Sequence, residues 1–381
     1  MDFSFTPEEE QFRKEVRAFA ERNLAPHYAA DDRAARMRPE LPAQLAAMGL
    51  TGLRVPEELG GQGASAVTAG LATEEVGRAN FSACYLIVNS ALVAEILLSV
   101  GTAAQQERWL RLIAEEGSVP AVLLTEPEHG SDAASLTVRA ERDGAGWKLY
   151  GEKTSVSLGM YATWGVVFAR TGGPGPHGVS AFAVELDGGH VSRSPFDDLG
   201  NRSVGRASVY FDGLPVPGDG LLGSEGQGFT EVMRGFDYSR ALIGLACLGT
   251  ASAALDDALA YARQRTAFGA PIGSFQGVAF PLAEYATYLK AARHLCYEAL
   301  WRKDSHLDHT TEANMAKWWA PRLSMEIVHQ ALLTFGHAGY AAENPQGQRL
   351  RDVIGLEIGD GTAQIAKLVV ARKLLGRAFA P

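Results

Sequence analysis

Near the C-terminus runs the stretch IGDGTAQI, Ile358 to Ile365, in which a lone carboxylate, Asp360, precedes Gly361, Thr362 and Gln364. Thr362 can cap the apolar helix that follows, leaving backbone N–H groups free to face an anionic ligand. A carboxylate beside an anion-ready helix start suits chemistry in which an anionic ligand docks and a proton is removed next to it. The same residues also make an ordinary turn with a solvated aspartate. Only the rest of the chain separates the two.

The chain has 381 residues, 46% hydrophobic and 21% charged, enough for more than one core. A formal net charge of -9 disfavours nucleic acid or an anionic membrane surface as the main partner. Three cysteines, Cys84, Cys247 and Cys296, lie far apart without a CxxC pair, so neither a metal site nor a disulfide framework is expected. That usage fits a reducing, cytoplasmic compartment. Met1 to Gln11 is acidic and lacks the apolar run of a signal peptide. No run of 18 apolar residues is present, and no membrane-spanning helix is expected.

The elements that must position these residues fall in three blocks. Residues 1–118 read as a helical domain. Thr6-Pro7-Glu8-Glu9 is a capping box, and helices are expected through Arg22, over Pro39–Met48, Val67–Arg78, Ser82–Val100 and Ala103–Glu115. Residues 119–224 alternate with period two between Gly- and Asp-rich turns. They predict an antiparallel β barrel or sandwich, with strands around Val138, Trp147, Val166–Phe168, Val179–Val184 and Ala207–Phe211. Residues 225–381 return to helical spacing over Phe229–Arg265, Phe275–Asp304, Thr310–Phe335 and Ala363–Leu375, a four-helix bundle. The fold class is mainly α with a central β domain.

Five motifs in this order resemble the acyl-CoA dehydrogenase family over nearly the whole chain: VPEELGG, LLTEPEHGSD, GFDYSR, RQRTAFGAPIGSFQ and RLRDVIGLEIGDGTAQI. The resemblance implies FAD as cofactor. In LLTEPEHGSD, where Leu123 lies, it places Thr125 at the flavin pyrimidine side and Ser131 toward flavin and CoA. Hydroxyls and exposed backbone suit such polar edges. In GEKTSVS it assigns Ser155 and Ser157 to flavin contacts. Ser155 stands where the family has a tryptophan packed on the flavin, which leaves that edge more open. Ser157 replaces a threonine near N5 and keeps the hydroxyl. Arg265, Phe268 and Gln276 resemble residues that hold the dinucleotide end of FAD across a dimer interface, and an arginine fork matches pyrophosphate. Thr362 and Gln364 are implied as further FAD contacts, and Phe236 and Arg240 as CoA-facing.

The resemblance also implies α,β-dehydrogenation of an acyl-CoA thioester, electron-transfer flavoprotein as acceptor, and a homotetramer built as a dimer of dimers. Asp360 occupies a position where many members carry the glutamate base. The alternative base position of other members, one residue before Arg240, is Ser239. Asp360 is therefore the motif-matched base, shorter than glutamate by about 1.5 Å. The stretches SPFDDLGNRSVGR, FDYSRALIGL, ANMAKWWAP and IGDGTAQI resemble the branch that oxidises cyclohexane-1-carbonyl-CoA to cyclohex-1-ene-1-carbonyl-CoA. Two other readings compete: a flavin oxidase or monooxygenase on the same fold, and a non-catalytic binding relative. His337, in Gly336–Tyr340, has a cofactor-neighbouring reading and a structural one.

Overall fold

The computed structural model describes residues 4–115 and 117–380. The acidic N-terminal stretch therefore begins at Ser4 in the structure, with residues 1–3 outside the described set. Helix α1 (Pro7–Asn23) starts as expected. Thr6 accepts from Glu9 N while the Glu9 carboxylate accepts from Thr6 N at 2.9 Å. Then come α2 (Tyr28–Ala34), α3 (Leu41–Ala47), α4 (Ala66–Ala79), α5 (Cys84–Val100) and α6 (Ala103–Ala114). Helix α2, which periodicity misses, is a seven-residue helix with Asp31 and Asp32 buried. It is too short to repeat an apolar stripe.

The β unit holds β1 (Pro120–Leu123), β2 (Arg139–Asp143), β3 (Gly146–Val156), β4 (Trp164–Arg170), β5 (Val179–Glu185), β6 (Val191–Pro195), β7 (Ala207–Val216) and β8 (Leu221–Leu222). Its order is β6-β7-β3-β2-β4-β5-β8, with β1 paired to β4. The sheet is mixed, which corrects the purely antiparallel expectation. β1 lies parallel to β4 from Pro120↔Trp164 to Leu123↔Val167, and β2 meets β4 in parallel at Arg139↔Arg170. The β2–β3 hairpin sits between β1 and β4 in sequence, long enough for the chain to return in the same direction. Strand β6 has little hydrophobic signal because it is an exposed edge.

The C-terminal part begins with α7 (Gly228–Gln264), 37 residues long. A two-stranded finger follows, β9 (Thr266–Ala267) with β10 (Ala270–Pro271). Then come α8 (Gln276–Asp304), α9 (Thr310–Phe335), α10 (Pro345–Ile354) and α11 (Ala363–Leu375). Helix α10 is an addition to the four expected helices. N-terminal and C-terminal helices share one apolar core, from Val16 and Leu71 to Leu248 and Leu323. Helices α4 and α7 approach so closely that a side chain at Gly249 would meet the Glu74 carbonyl, and Thr250 Oγ1 donates to Gly77 O at 2.6 Å. Asp304, at the end of α8, caps α4 by accepting from Ala66 N and Val67 N at 2.7 and 3.0 Å.

Two helical stretches, Phe81–Val100 and Gly228–Gln264, are long and apolar enough by composition to cross a membrane. Length and composition alone do not separate a core helix from a spanning one. The physical reason for the apolar composition is their place in the fold: both are core helices buried on most faces, so they need little polar surface.

Candidate active site

The segment that carries Asp360 leaves α10, makes a 3-10 turn at Gly355–Glu357, and reverses into α11. Asp360 itself has a left-handed backbone, φ 55°, and Gly361 follows at φ 92°. Thr362 caps α11 by accepting from Ile365 N at 3.3 Å. A non-glycine residue in this region is strained and persists where its surroundings hold it. On one side Asp352 is fixed by Tyr28 Oη and Asn201 N, each donating at 2.6 Å. On the other, Lys317 of α9 donates to the Leu356 and Gly361 carbonyls, both at 2.8 Å.

Asp360 keeps part of its surface open, yet burial of its carboxylate raises its pKa, against the opposing charges of Lys317 and Arg240. A buried carboxylate with a raised pKa beside two cations is suited to accept a proton. Ser239 is fully buried and donates to Phe236 O at 3.3 Å, so it presents no base. Glu357 lies on the preceding 3-10 turn, partly exposed.

Arg240 is only 6% exposed. Its Nη1 donates to Asp237 Oδ1 at 2.9 Å, while Asp237 Oδ2 accepts from Thr310 Oγ1 at 2.8 Å. Its Nε is buried without a partner. A Cβ at Gly361 would sit 3.7 Å from Arg240 Nη2. The structure thus brings Arg240 to the Asp360 segment as well as to Phe236, whose ring lies 5.8 Å from its guanidinium carbon.

Tyr85, on the first turn of α5, is brought within reach of the Asp360 charge by the fold, which no motif in the sequence marks. Burial raises its phenol pKa well above the usual value. The charge of Asp360 adds to that shift, and the charge of Arg206 opposes it. The available signal was a tyrosine at the head of the otherwise aliphatic run CYLIVNSALVAEILLSV.

The motifs LLTEPEHGSD and GEKTSVS meet through the buried pair Glu126 and Lys153. Lys153 Nζ donates to Glu126 Oε1 and to Leu124 O, both at 2.8 Å, and Glu126 also accepts from Thr137 N at 2.5 Å and Val138 N at 2.8 Å. Burial pushes Glu126 up, but the Lys153 charge and these hydrogen bonds outweigh it and leave it lowered. Burial brings Lys153 down to about 8. Thr154 N donates to Thr125 O at 2.8 Å, which sets Thr125 beside the end of β3, where Ser155 lies and which Ser157 follows. The Leu123 side chain is fully buried in the β core, so only its backbone is available to a ligand. Ser131 is exposed.

Ser155 is exposed with φ 54°, and its Oγ accepts from Arg206 Nη1 at 3.0 Å. Arg206 forks onto Asp198 and stacks 4.3 Å from the centre of the Phe196 ring. Arg265, Phe268 and Gln276 are all exposed, Phe268 at 97% with φ 51°. Phe268 stands at the tip of the β9–β10 finger, its ring edge-on to Phe275. His337 is exposed on the 3-10 turn Gly336–Ala338, and Gln364 is exposed on α11.

These residues fit a flavin dinucleotide. Thr125 and Ser157 offer hydroxyls, Arg240 carries an orphaned buried donor, and the finger exposes the Arg265 cation and the Phe268 ring. A helix N-terminus capped by Thr362 adds free N–H groups.

Comparison with known proteins agrees. Residues 6–117, 121–214 and 226–375 match the N-terminal, middle and C-terminal domains of acyl-CoA dehydrogenases. The chain is 36% identical over 376 residues to a probable acyl-CoA dehydrogenase of Mycobacterium leprae, covering 98% of this chain and 97% of that one. Butyryl-CoA dehydrogenase of Megasphaera elsdenii superposes with a TM-score of 0.95 at 32% identity, covering 98% and 100% of the two chains. A chain from a study of the electron transferring flavoprotein of Acidaminococcus fermentans superposes at 0.96 with 33% identity, covering 98% and 100%. The chain belongs to the acyl-CoA dehydrogenase family. It is a FAD-dependent oxidoreductase of acyl-CoA thioesters.

Proposed function

We propose that this enzyme desaturates an acyl-CoA thioester between Cα and Cβ with Asp360 as the base, and that its preferred substrate is cyclohexane-1-carbonyl-CoA, giving cyclohex-1-ene-1-carbonyl-CoA. The observation that carries the base assignment is the turn itself: Asp360 is desolvated, faces Arg240 and Lys317, and no other motif-matched carboxylate stands in its place. The thioester's α-proton passes to the Asp360 carboxylate. The Asp360 backbone N–H is the chain's donor to the thioester oxygen, and such a bond acidifies the α C–H. Bound FAD supplies the acceptor for the Cβ hydride. Thr125 and Ser157 orient the flavin through hydroxyl hydrogen bonds. Arg265, Phe268 and Gln276 reach the cofactor of a neighbouring copy in a homotetramer.

The ring substrate is supported by the branch resemblance and by the shorter base, which suits an α-carbon bearing two ring bonds. Electron-transfer flavoprotein is the acceptor. A cytoplasmic location is supported by three free, buried cysteines. Anaerobic flavin bleaching against a panel of thioesters tests the assignment. Cyclohexanecarboxyl-CoA is expected to bleach fastest, and faster bleaching by palmitoyl-CoA would defeat the ring assignment.

One observation favours a second reading, a flavin oxidase or monooxygenase. Ser155 is small and exposed where an aromatic wall would shield the flavin. Reoxidation of the reduced enzyme by oxygen, followed by stopped flow, separates the two. Reoxidation within a turnover time selects the oxidase.

A further inference from the structure

We infer that Lys317 is the positioning residue of the base: its ammonium clamps both ends of the turn that carries Asp360 and sets a positive charge against that carboxylate. The inference rests on the reading of Asp360 as base.

Lys317 is 1% exposed, on the inner face of α9. A lysine so buried is rare without an ion-pair partner. Among the described residues Lys317 makes no salt bridge and spends two of its three donors on backbone oxygens, Leu356 O and Gly361 O. An unpaired buried ammonium costs stability. Its position therefore calls for a return elsewhere, and the two acceptors show where.

The acceptors bracket the turn. Leu356 lies within the 3-10 segment after α10, and Gly361 follows the base. The reversal between α10 and α11 leaves carbonyls that no helix satisfies. One ammonium binds a carbonyl on each side and fixes the loop at two points. Between those points Asp360 takes its left-handed backbone, which persists only where the surroundings over-determine it.

The charge acts on the same atoms. The charged and titratable groups facing this region are Lys317 from α9, Arg240 and Cys247 from α7, Tyr85 from α5 and Glu357 from the turn itself. Arg240 shares its charge with Asp237 through a 2.9 Å hydrogen bond. Lys317 is the cation without a carboxylate ligand, and it leads Arg240 among the charges that lower the pKa of Asp360. Burial brings Lys317 down to about 8, so it is still mostly charged at neutral pH.

Three variants test this. Lys317→Met removes charge and donors, Lys317→Gln removes charge and keeps a donor group, and Lys317→Arg keeps both. Hydrogen exchange of the ligand-free proteins reads the clamp. Amides 357–362 are expected to exchange at least about tenfold faster in Lys317→Met and near the wild-type rate in Lys317→Arg. The pH dependence of flavin reduction reads the charge. Its acid limb is expected to move up by about one unit in Lys317→Met and Lys317→Gln and to stay in place in Lys317→Arg. A lower melting temperature with unchanged loop exchange and an unchanged acid limb would reduce Lys317 to a structural role and overturn the inference. Should Lys317→Met not fold, the Gln and Arg variants still decide the charge arm. Asp360→Asn serves as the control. If it reduces flavin at the wild-type rate, the base assignment fails, while the exchange experiment still reports on the clamp.

Discussion

Tyr28 Oη donates to Asp352 Oδ2 at 2.6 Å across 324 positions of sequence, and the other oxygen of Asp352 accepts from Asn201 N at 2.6 Å. One buried carboxylate thereby ties the N-terminal helices, the β unit and the bundle together, eight residues before Asp360. Arg351 adds a second tie, donating to Asp32 Oδ2 at 2.6 Å and to Leu199 O at 2.8 Å.

Burial raises Asp352 to about 6, against the hydrogen bonds from Asn201 and Tyr28. A folded pKa above the unfolded one means this group stabilises the fold most at low pH. That contribution is lost as pH rises through about 6. Asp352→Asn removes the dependence. In urea unfolding between pH 4 and 7, wild type should lose about 2 kcal/mol relative to the variant as pH rises. Parallel curves would show that the carboxylate is not desolvated.

Asp360→Asn should keep the fold, FAD and thioester binding, since the amide is nearly isosteric. Flavin reduction should fall by roughly 10²- to 10⁴-fold, because an amide cannot accept the α-proton. Asp360→Glu tests the geometry: if substrate is seated for the short acid, the longer one slows reduction. Rapid-reaction bleaching measures both, and a Glu variant that matches wild type would mean the short side chain is not fitted to the substrate.

Arg265→Ala should weaken FAD retention by about tenfold or more, the scale of one charge-assisted hydrogen bond. Its guanidinium has no salt-bridge partner among the described residues, so little of the chain's own fold depends on it. Flavin content after dialysis is the readout. Undiminished content in a monomeric protein would remove the finger from the cofactor site.

Lys153→Met should destabilise the fold by about 3–5 kcal/mol, because Glu126 is left buried without its cation. Lys153→Met with Glu126→Gln should recover part of that loss. Thermal unfolding of the three proteins measures it, and an additive double variant would argue that the pair is not coupled.

Much of the molecule is legible in local pattern. Helix starts are written where a cap and an apolar stripe coincide, as at Thr6 and Thr362, and the bounds of α9 and α11 follow from spacing alone. Strand pairing is not. The parallel run of β1 against β4 joins residues more than forty apart, and no local alternation encodes direction. Helices α2 and α10 escape because they are short and held by tertiary partners: Asp352 of α10 bonds to Tyr28 of α2 and to Asn201.

The site divides in the same way. Asp360, Arg265 and Thr362 stand in motifs because a reacting group, a projecting fork and a helix cap each require one residue type at one place. That Asp360 is left-handed and desolvated, that Arg240 leans on Gly361, and that the charge of Asp360 is felt at Tyr85 are facts of packing. They come from helices α5, α7 and α9, distant in sequence and brought together by the shared apolar core. A pKa depends on every charge and every excluded water around a group, whichever part of the chain supplies them. The residue types were determined by the sequence itself. Their protonation, strain and neighbours were decided only when the helices closed around them.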